Sequence, residues 1–251
     1  MGDLYLILFI LICLLLGYHR LLVFVFRKRL IAIGFLISSK SKISIRENLK
    51  YIFAFPIIRD RLRLSFKEFF FLPTKEFYKL CKIDIEGAMK MLIKHCGLKD
   101  NISIKITHDK LIMPCELAIT GQAITTDAAG ITYCISPFQY TVWVNKDCNV
   151  YMRGTTLAHE LSHIYILSNG LKFQTQDYRK NQFQEQMADL FTVVLGYGLI
   201  TLKGMESDFL SFDARVDYNR VGYLKENQIM YAQNIMEKAL RRIRRHQGRD
   251  E

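Results

Sequence analysis

The sequence predicts an α+β domain with a short mixed sheet, set behind an apolar N-terminal helix. Three observations indicate this class. The chain opens with a long apolar run. Apolar residues at helical spacing then precede short stretches in which apolar and polar residues alternate, and more residues at helical spacing follow these stretches. With 251 residues, half of them hydrophobic, the chain is long enough for one ordinary domain and an appendage. This composition argues against a disordered protein.

The apolar run extends from Leu4 to Gly17 and resumes after three residues. A helix needs about 17–25 residues to cross a bilayer, and residues 4–20 reach this range if the polar residues at the end lie at the interface. Asp3 and the lack of a basic start and of a cleavage site argue against a cleaved signal peptide. We predict a membrane anchor over residues 1–29; the alternatives are a buried or an interfacial helix.

Basic residues follow the predicted anchor, where Arg27, Lys28 and Arg29 stand together. The positive-inside rule therefore predicts a single-pass protein whose body lies in the cytoplasm. The six cysteines include no C-x-x-C pair, so a thiolate zinc site is not indicated, and we expect free, mostly buried thiols. The apolar stretch 30–37 is too short to cross a membrane alone, and the sequence leaves open whether it enters one.

The chain carries a net charge of +11. This balance suggests a nucleic acid or an anionic membrane as a partner without choosing between them. Residues 30–83 form a basic and aromatic juxtamembrane region, either a binding surface or, as we favour, helices that pack on the body. Residues 206–251 form a helical segment with a basic tail, with a helix predicted over Val221–His246. Its four arginines suit the helix dipole as well as they suit a polyanion; they are Arg241, Arg242, Arg244 and Arg245.

The central part of the chain predicts one helix and three strands. Apolar residues at helical spacing predict a helix from Asp84 to Cys96, with Gly97 as its C-cap. Alternating or β-branched stretches then predict strands at residues 102–106, 131–135 and Tyr140–Val144. A loop from Asn145 to Arg153 is expected before the next helix.

That next helix carries the motif His159-Glu160-Leu161-Ser162-His163. Histidines four residues apart lie on one face of a helix, where two neutral imidazoles can bind one zinc ion. Glu160 is placed to take a proton from a zinc-activated water rather than to bind the metal. The alternative, a polar helix with two solvated histidines, is weakened because the surrounding residues are apolar.

The ends of the motif helix and a third ligand are also predicted. Thr155 or Thr156 can cap its start, and Asn169-Gly170 can end it. A second helix is expected over residues 181–196. On it, Glu185 can reach the metal, and Asp189, one turn further on the same face, can accept a hydrogen bond from a ligand imidazole.

These residues resemble the gluzincin zinc metallopeptidases. The matching positions form H-E-x-x-H followed by E-x-x-A-D, and the spacing and preceding strands are similar to the compact ImmA/IrrE-type or minimal gluzincin domains; they are His159, Glu160, His163, Glu185, Ala188 and Asp189, with Phe191 also typical of that group. The resemblance implies a zincin-like metallopeptidase domain over residues 84–205.

In that family, two histidines and a glutamate bind zinc, which here implies His159, His163 and Glu185. Glu160 would be the general base and Asp189 the partner of a ligand histidine. The resemblance also implies that the edge strand before the motif helix, here Tyr140–Val144, binds a peptide by β-addition. Many gluzincins use a Tyr or His to stabilise the oxyanion; the candidates, among which the sequence does not choose, are Tyr178, Tyr197 and Tyr223.

The sequence therefore predicts a membrane-anchored, zinc-dependent metallopeptidase that hydrolyses peptide bonds in a protein or peptide substrate. The alternative is a catalytically inactive, zinc-stabilised binding module that recruits nucleic acid or anionic lipid through its basic segments. Loss of function on Glu160→Gln would favour the first, and loss on removal of the C-terminal arginines the second.

Overall fold

This computed structural model combines helices with a small three-stranded sheet, which confirms the α+β class. The structure describes residues 37–98, 103–109, 129–136, 138–145, 147–171, 180–210 and 224–246. Its elements are α1 (Ser39–Phe53), α2 (Pro56–Arg61), α3 (Phe66–Phe69), α4 (Lys75–Ile83), α5 (Ile85–Cys96), β1 (Ser103–Asp109), β2 (Gly130–Ser136), β3 (Gln139–Asn145), α6 (Val150–Ser168), α7 (Lys180–Val194), α8 (Gly198–Leu210) and α9 (Glu226–His246).

The sheet has the order β1-β3-β2, with β3 parallel to β1 and antiparallel to β2. The three predicted strands and the helix ending at Gly97, which has φ 66°, are thus confirmed. The prediction that Tyr140–Val144 is an edge strand is wrong, because β3 is hydrogen-bonded on both sides and cannot accept a peptide. Alternating side chains indicate a strand but do not reveal how many partners it has.

The edge strand next to the motif helix is β2. Asn145 N–H donates to the Ala129 carbonyl at 2.8 Å. Because bonded and non-bonded pairs alternate in an antiparallel ladder, the backbone groups of Gly130 and Thr132 point away from β3. No described strand pairs with that side of β2.

The motif helix α6 packs against one face of the sheet, where Tyr140, Val142 and Val144 are buried. The prediction that Thr155 or Thr156 caps this helix is wrong, because α6 begins earlier, at Val150. The Asn149 side chain is the cap and accepts from two backbone N–H groups, at 3.0 and 2.9 Å. The predicted end at Asn169-Gly170 is confirmed, since Asn169 is the C-cap and Gly170 has φ 61°.

The helix α7 ends in a tight turn at Gly196, which has φ 91° and no room for a Cβ beside the Phe69 carbonyl. This turn leads into α8 at an angle of 113°. No single helix in the described ranges is long and apolar enough to cross a membrane. The bent pair α7–α8 together has the length and hydropathy of a membrane span. The predicted anchor, residues 1–29, lies outside the described residues.

One core joins the motif helix to both ends of the described chain. Residues of α1 and of α9 are buried in the same cluster as those of α6 and α7. The two terminal helices also contact each other, and Arg46 of α1 lies over the Tyr231 ring of α9, 5.7 Å from its centroid. The helices that share this core include α1 with Ile45, Leu49 and Ile52, and α9 with Ile229, Met236 and Leu240.

The C-terminal helix differs in part from its prediction. Leu224 and Lys225 are not helical, and α9 begins at Glu226; Val221 lies outside the described residues. Arg244 does not point freely to solvent, since it donates to the Leu64 carbonyl at 3.3 Å and lies over the Phe66 ring. A nucleic-acid partner for this segment stays a prediction.

The cysteines that the structure describes form no disulfides, and most of them are buried, as the sequence predicted. Cys81, Cys96 and Cys148 are buried, and Cys134 on β2 is exposed. Burial raises the pKa of the Cys81 thiol to about 12, which keeps that group protonated.

Candidate metal centre

The helix α6 presents the two motif histidines to the same side. Their ring centroids are 4.8 Å apart and the rings are nearly perpendicular, at 78°. His159 is buried with 6% of its side chain exposed, while His163 retains 22%. The one-turn spacing therefore gives one enclosed and one accessible imidazole on a single helix face.

The helix α7 brings Glu185 to these rings. Its Oε2 lies 2.9 Å from His159 Nε2 and 3.3 Å from His163 Nε2, and the two nitrogens are 3.2 Å apart. Zinc bonds of about 2.0–2.1 Å in a tetrahedron would separate ligand atoms by about 3.3 Å. The three atoms thus already have nearly the spacing that a shared metal ion needs, and these residues can hold one.

The protonation pattern of the cluster also fits a cation. His159 Nδ1 lies 2.9 Å from Asp189 Oδ1, and a carboxylate only accepts, so Nδ1 carries the proton of this bond. In a neutral ring, Nε2 then offers a lone pair toward the lone pairs of Glu185. Two acceptors in contact repel each other unless a proton or a metal ion lies between them.

A proton on His159 Nε2 can meet this need. Burial by itself would lower the pKa of His159, but its hydrogen bonds to Asp189 and Glu185 outweigh burial and raise the pKa to about 10. Burial would raise the pKa of Glu185, but its hydrogen bonds to the two histidines lower it well below the usual range. A metal ion must therefore displace a proton from His159 to bind.

Both carboxylate oxygens of Asp189 accept a hydrogen bond. Oδ1 accepts from His159, and Oδ2 accepts from the backbone N–H of Leu224 at 2.7 Å. Leu224 lies two residues before the start of α9, so the segment that leads into the C-terminal helix helps to hold the carboxylate that orients the histidine. The sequence offers no signal for this contact, because any residue other than proline supplies a backbone N–H.

Glu160 is buried and lies apart from the three-atom group, in contact with β2. Thr132 Oγ1 donates to Glu160 Oε2 at 2.7 Å. The other oxygen, Oε1, faces the α-carbon of Gly130, where a Cβ would come within 3.1 Å of it. Its negative charge also helps to raise the pKa of His159. Thr132 and Gly130 were not predicted, since nothing in a strand marks which residue will face a helix 28 positions later.

Of the oxyanion candidates, only Tyr197 is described. It is fully buried and its hydroxyl donates to the Leu92 carbonyl at 2.6 Å, in the core between α5 and α8. It therefore has another partner and does not join the histidines. Tyr178 and Tyr223 lie outside the described residues, so they remain the candidates.

Replacing Asp189 with asparagine is expected to weaken zinc binding about 10–100-fold. An amide has one acceptor oxygen, so it cannot accept from both Leu224 N–H and His159 Nδ1–H. If its NH₂ group faces the ring, the proton moves to Nε2, which then cannot bind metal. Competition with a chromophoric zinc chelator measures the affinity. Asp60→Asn, at an exposed ion pair, is the matched control, and equal affinities in the two variants would contradict the assigned role.

No protein-family model, curated protein or solved structure matches this chain.

Proposed function

We propose that this protein is a zinc-dependent peptidase with a zincin-like domain of the gluzincin type. The observation that carries the proposal is the convergence of His159 Nε2, His163 Nε2 and Glu185 Oε2, with Glu160 held separately beside them. Three protein ligands of the two-histidine, one-glutamate type leave the fourth tetrahedral position for water or substrate. A structural zinc site more often has four protein ligands. It does not usually have a neighbouring carboxylate, such as Glu160, that is left unbonded to the metal.

Zinc supplies Lewis-acid chemistry when bound: it polarises a carbonyl and makes water a nucleophile at neutral pH. The protein's own residues transfer the protons and orient the ligands. Glu160 accepts a proton from the attacking water and returns it to the leaving amine. Asp189 keeps the proton of His159 on Nδ1, so that Nε2 faces the metal position. The exposed parts of His163 and Glu185 leave this side of the site open to a substrate.

The outer edge of β2 suits an extended peptide. The backbone groups of Gly130 and Thr132 point outward there and can pair with a peptide strand. The side chain of Thr132 donates to Glu160, and Gly130 faces its other carboxylate oxygen. A peptide bound by β-addition at this edge would run beside the general base. β2 thereby takes the role that the sequence suggested for β3.

The proposed location rests on the sequence. The apolar run over residues 4–20 and the basic residues after it support a membrane-anchored peptidase whose catalytic body faces the cytoplasm. The substrate class that follows from the site is a protein or peptide in extended form.

The deciding experiment combines metal analysis with a general protease assay on the full chain in detergent. We expect about one zinc per chain by mass spectrometry of the metal, and release of fluorescent peptides from labelled, unfolded casein. Treatment with a chelator should remove both, and one equivalent of Zn²⁺ should restore both, because the ligands are preformed.

The controls separate this site from a contaminating protease. Mg²⁺ is added to chelated protein in place of Zn²⁺, and His159→Ala protein is purified in parallel. A wild-type protein that binds zinc but cleaves nothing more than the His159→Ala protein would overturn the proposed peptidase and leave a zinc-stabilised binding module.

A further inference from the structure

We infer that Thr132 is a positioning residue that holds the general base against the substrate strand. This inference rests on the proposed function and deepens it. The geometry consists of a hydrogen bond from Thr132 and a close approach at Gly130 on the same edge strand, and both involve the same carboxylate, Glu160. Nothing in the motif itself, His159 to His163, fixes where that carboxylate points.

The hydrogen bond fixes one oxygen. Thr132 Oγ1 lies 2.7 Å from Glu160 Oε2, a short distance typical of a hydroxyl that donates to a carboxylate. Glu160 has only 5% of its surface exposed, so water cannot readily take the place of this donor. The low polarity around a buried group makes a single hydrogen bond more important than at the surface.

The other oxygen, Oε1, faces Gly130. Thr156 donates its hydroxyl to the Met152 carbonyl, which turns its methyl group toward Gly130. A Cβ at residue 130 would overlap that methyl group and would also come within 3.0 Å of the Trp143 carbonyl and 3.1 Å of Glu160 Oε1. The missing side chain of Gly130 therefore leaves room for the Thr156 methyl group, with Glu160 Oε1 beside it.

The two contacts link the base to the register of the sheet. The side chain of Thr132 and the α-carbon of Gly130 lie on the face of the sheet toward α6. The backbone groups of both residues point to the outer edge of β2. A peptide paired with that edge would thus be aligned by the same residues that hold the base. The hydroxyl of Thr132 should affect the chemical step more than the binding of substrate.

The test compares Thr132→Val, which keeps the shape and removes the hydroxyl, with Thr132→Ser, which keeps the hydroxyl. On labelled unfolded casein, Thr132→Val should lower kcat about 10–100-fold with KM changed less than about threefold. Thr132→Ser should retain kcat within about threefold of the wild type. Zinc content should stay near one per chain in both variants, because Thr132 contacts no metal ligand. Thr141→Val, on β3 and facing the other side of the sheet, is the matched control.

A second measurement does not depend on activity. Loss of the donor leaves a buried carboxylate oxygen unsatisfied, so Thr132→Val should lower the thermal midpoint by roughly 3–8 °C. In a Glu160→Ala background the same substitution should have little effect, since the partner is already absent.

The outcomes separate the two proposals. If the wild type cleaves casein and Thr132→Val is as active as Thr141→Val, the positioning role is wrong and the peptidase stands. If the wild type is inactive but the thermal coupling between Thr132 and Glu160 is present, the peptidase is wrong and only the contact remains. Equal thermal shifts in both backgrounds would overturn the contact itself.

Discussion

Glu160→Gln is expected to reduce peptide hydrolysis by about 10²–10⁴-fold while the protein retains its zinc. The amide has nearly the same shape, and its oxygen can still accept from Thr132 at the position of Oε2. It cannot take a proton from water, so only general-base catalysis is removed. Hydrolysis of labelled unfolded casein and zinc content per chain are measured on the same protein sample.

The control for Glu160→Gln is Glu86→Gln, at an exposed glutamate in the first turn of α5. We expect that control to be as active as the wild type. A Glu160→Gln protein that stays fully active would contradict the assignment of the base. A cellular phenotype that survives this substitution but is lost on removal of the C-terminal arginines would favour the binding-module alternative.

His159→Ala is expected to abolish zinc binding and the stabilisation that zinc provides. His159 is the most enclosed ligand, and its removal also leaves Asp189 Oδ1, in a side chain only 1% exposed, without its donor. A ligand present at 1,000 times its Kd stabilises the native state by about 4 kcal/mol. The wild type should therefore gain several degrees in Tm on addition of Zn²⁺, and the variant should gain none.

The increment caused by zinc is the decisive quantity, since His159→Ala also changes the stability of the metal-free protein. His246→Ala, at an exposed position near the end of α9, is the control and should keep the full increment. Equal increments in His159→Ala and the wild type would show that zinc binds elsewhere and would remove the metal centre from the proposal.

Local elements of this fold could be predicted from the sequence because their signals are local. The helix ending at Gly97 has apolar residues at helical spacing and a glycine with positive φ at its end. The three strands follow from alternation or β-branched residues. The order β1-β3-β2 could not be predicted, because pairing depends on residues far apart in the chain. The cap at Asn149 was missed because Thr155 and Thr156 are also good caps. Both lie inside the helix, where Thr155 donates to the Ile200 carbonyl of α8 and Thr156 to the Met152 carbonyl of the same helix.

The candidate site also has parts that could be predicted from the sequence and parts that could not. His159 and His163 are one helical turn apart, so their proximity follows from spacing alone. Glu185 and Asp189 came from a second pattern at a typical distance along the chain, and the structure brings both to the histidines. The supporting contacts from Thr132 and from the Leu224 N–H were beyond prediction. One depends on the register of a strand against a helix, and the other on a backbone group that every residue but proline has.

The shared core has a consequence for any proteolytic shedding of this protein. Ile37 is already buried, and Leu49 and Ile52 of α1 pack in the cluster that supports the metal-binding helices. A cut before residue 37 would leave the described part of this core intact. A cut between α1 and α4 would remove α1 from that core, and we expect the released chain to unfold. With the proposed anchor at residues 1–29, only residues 30–36 separate it from the first buried residue that the structure describes, so the proposed peptidase would act close to the membrane.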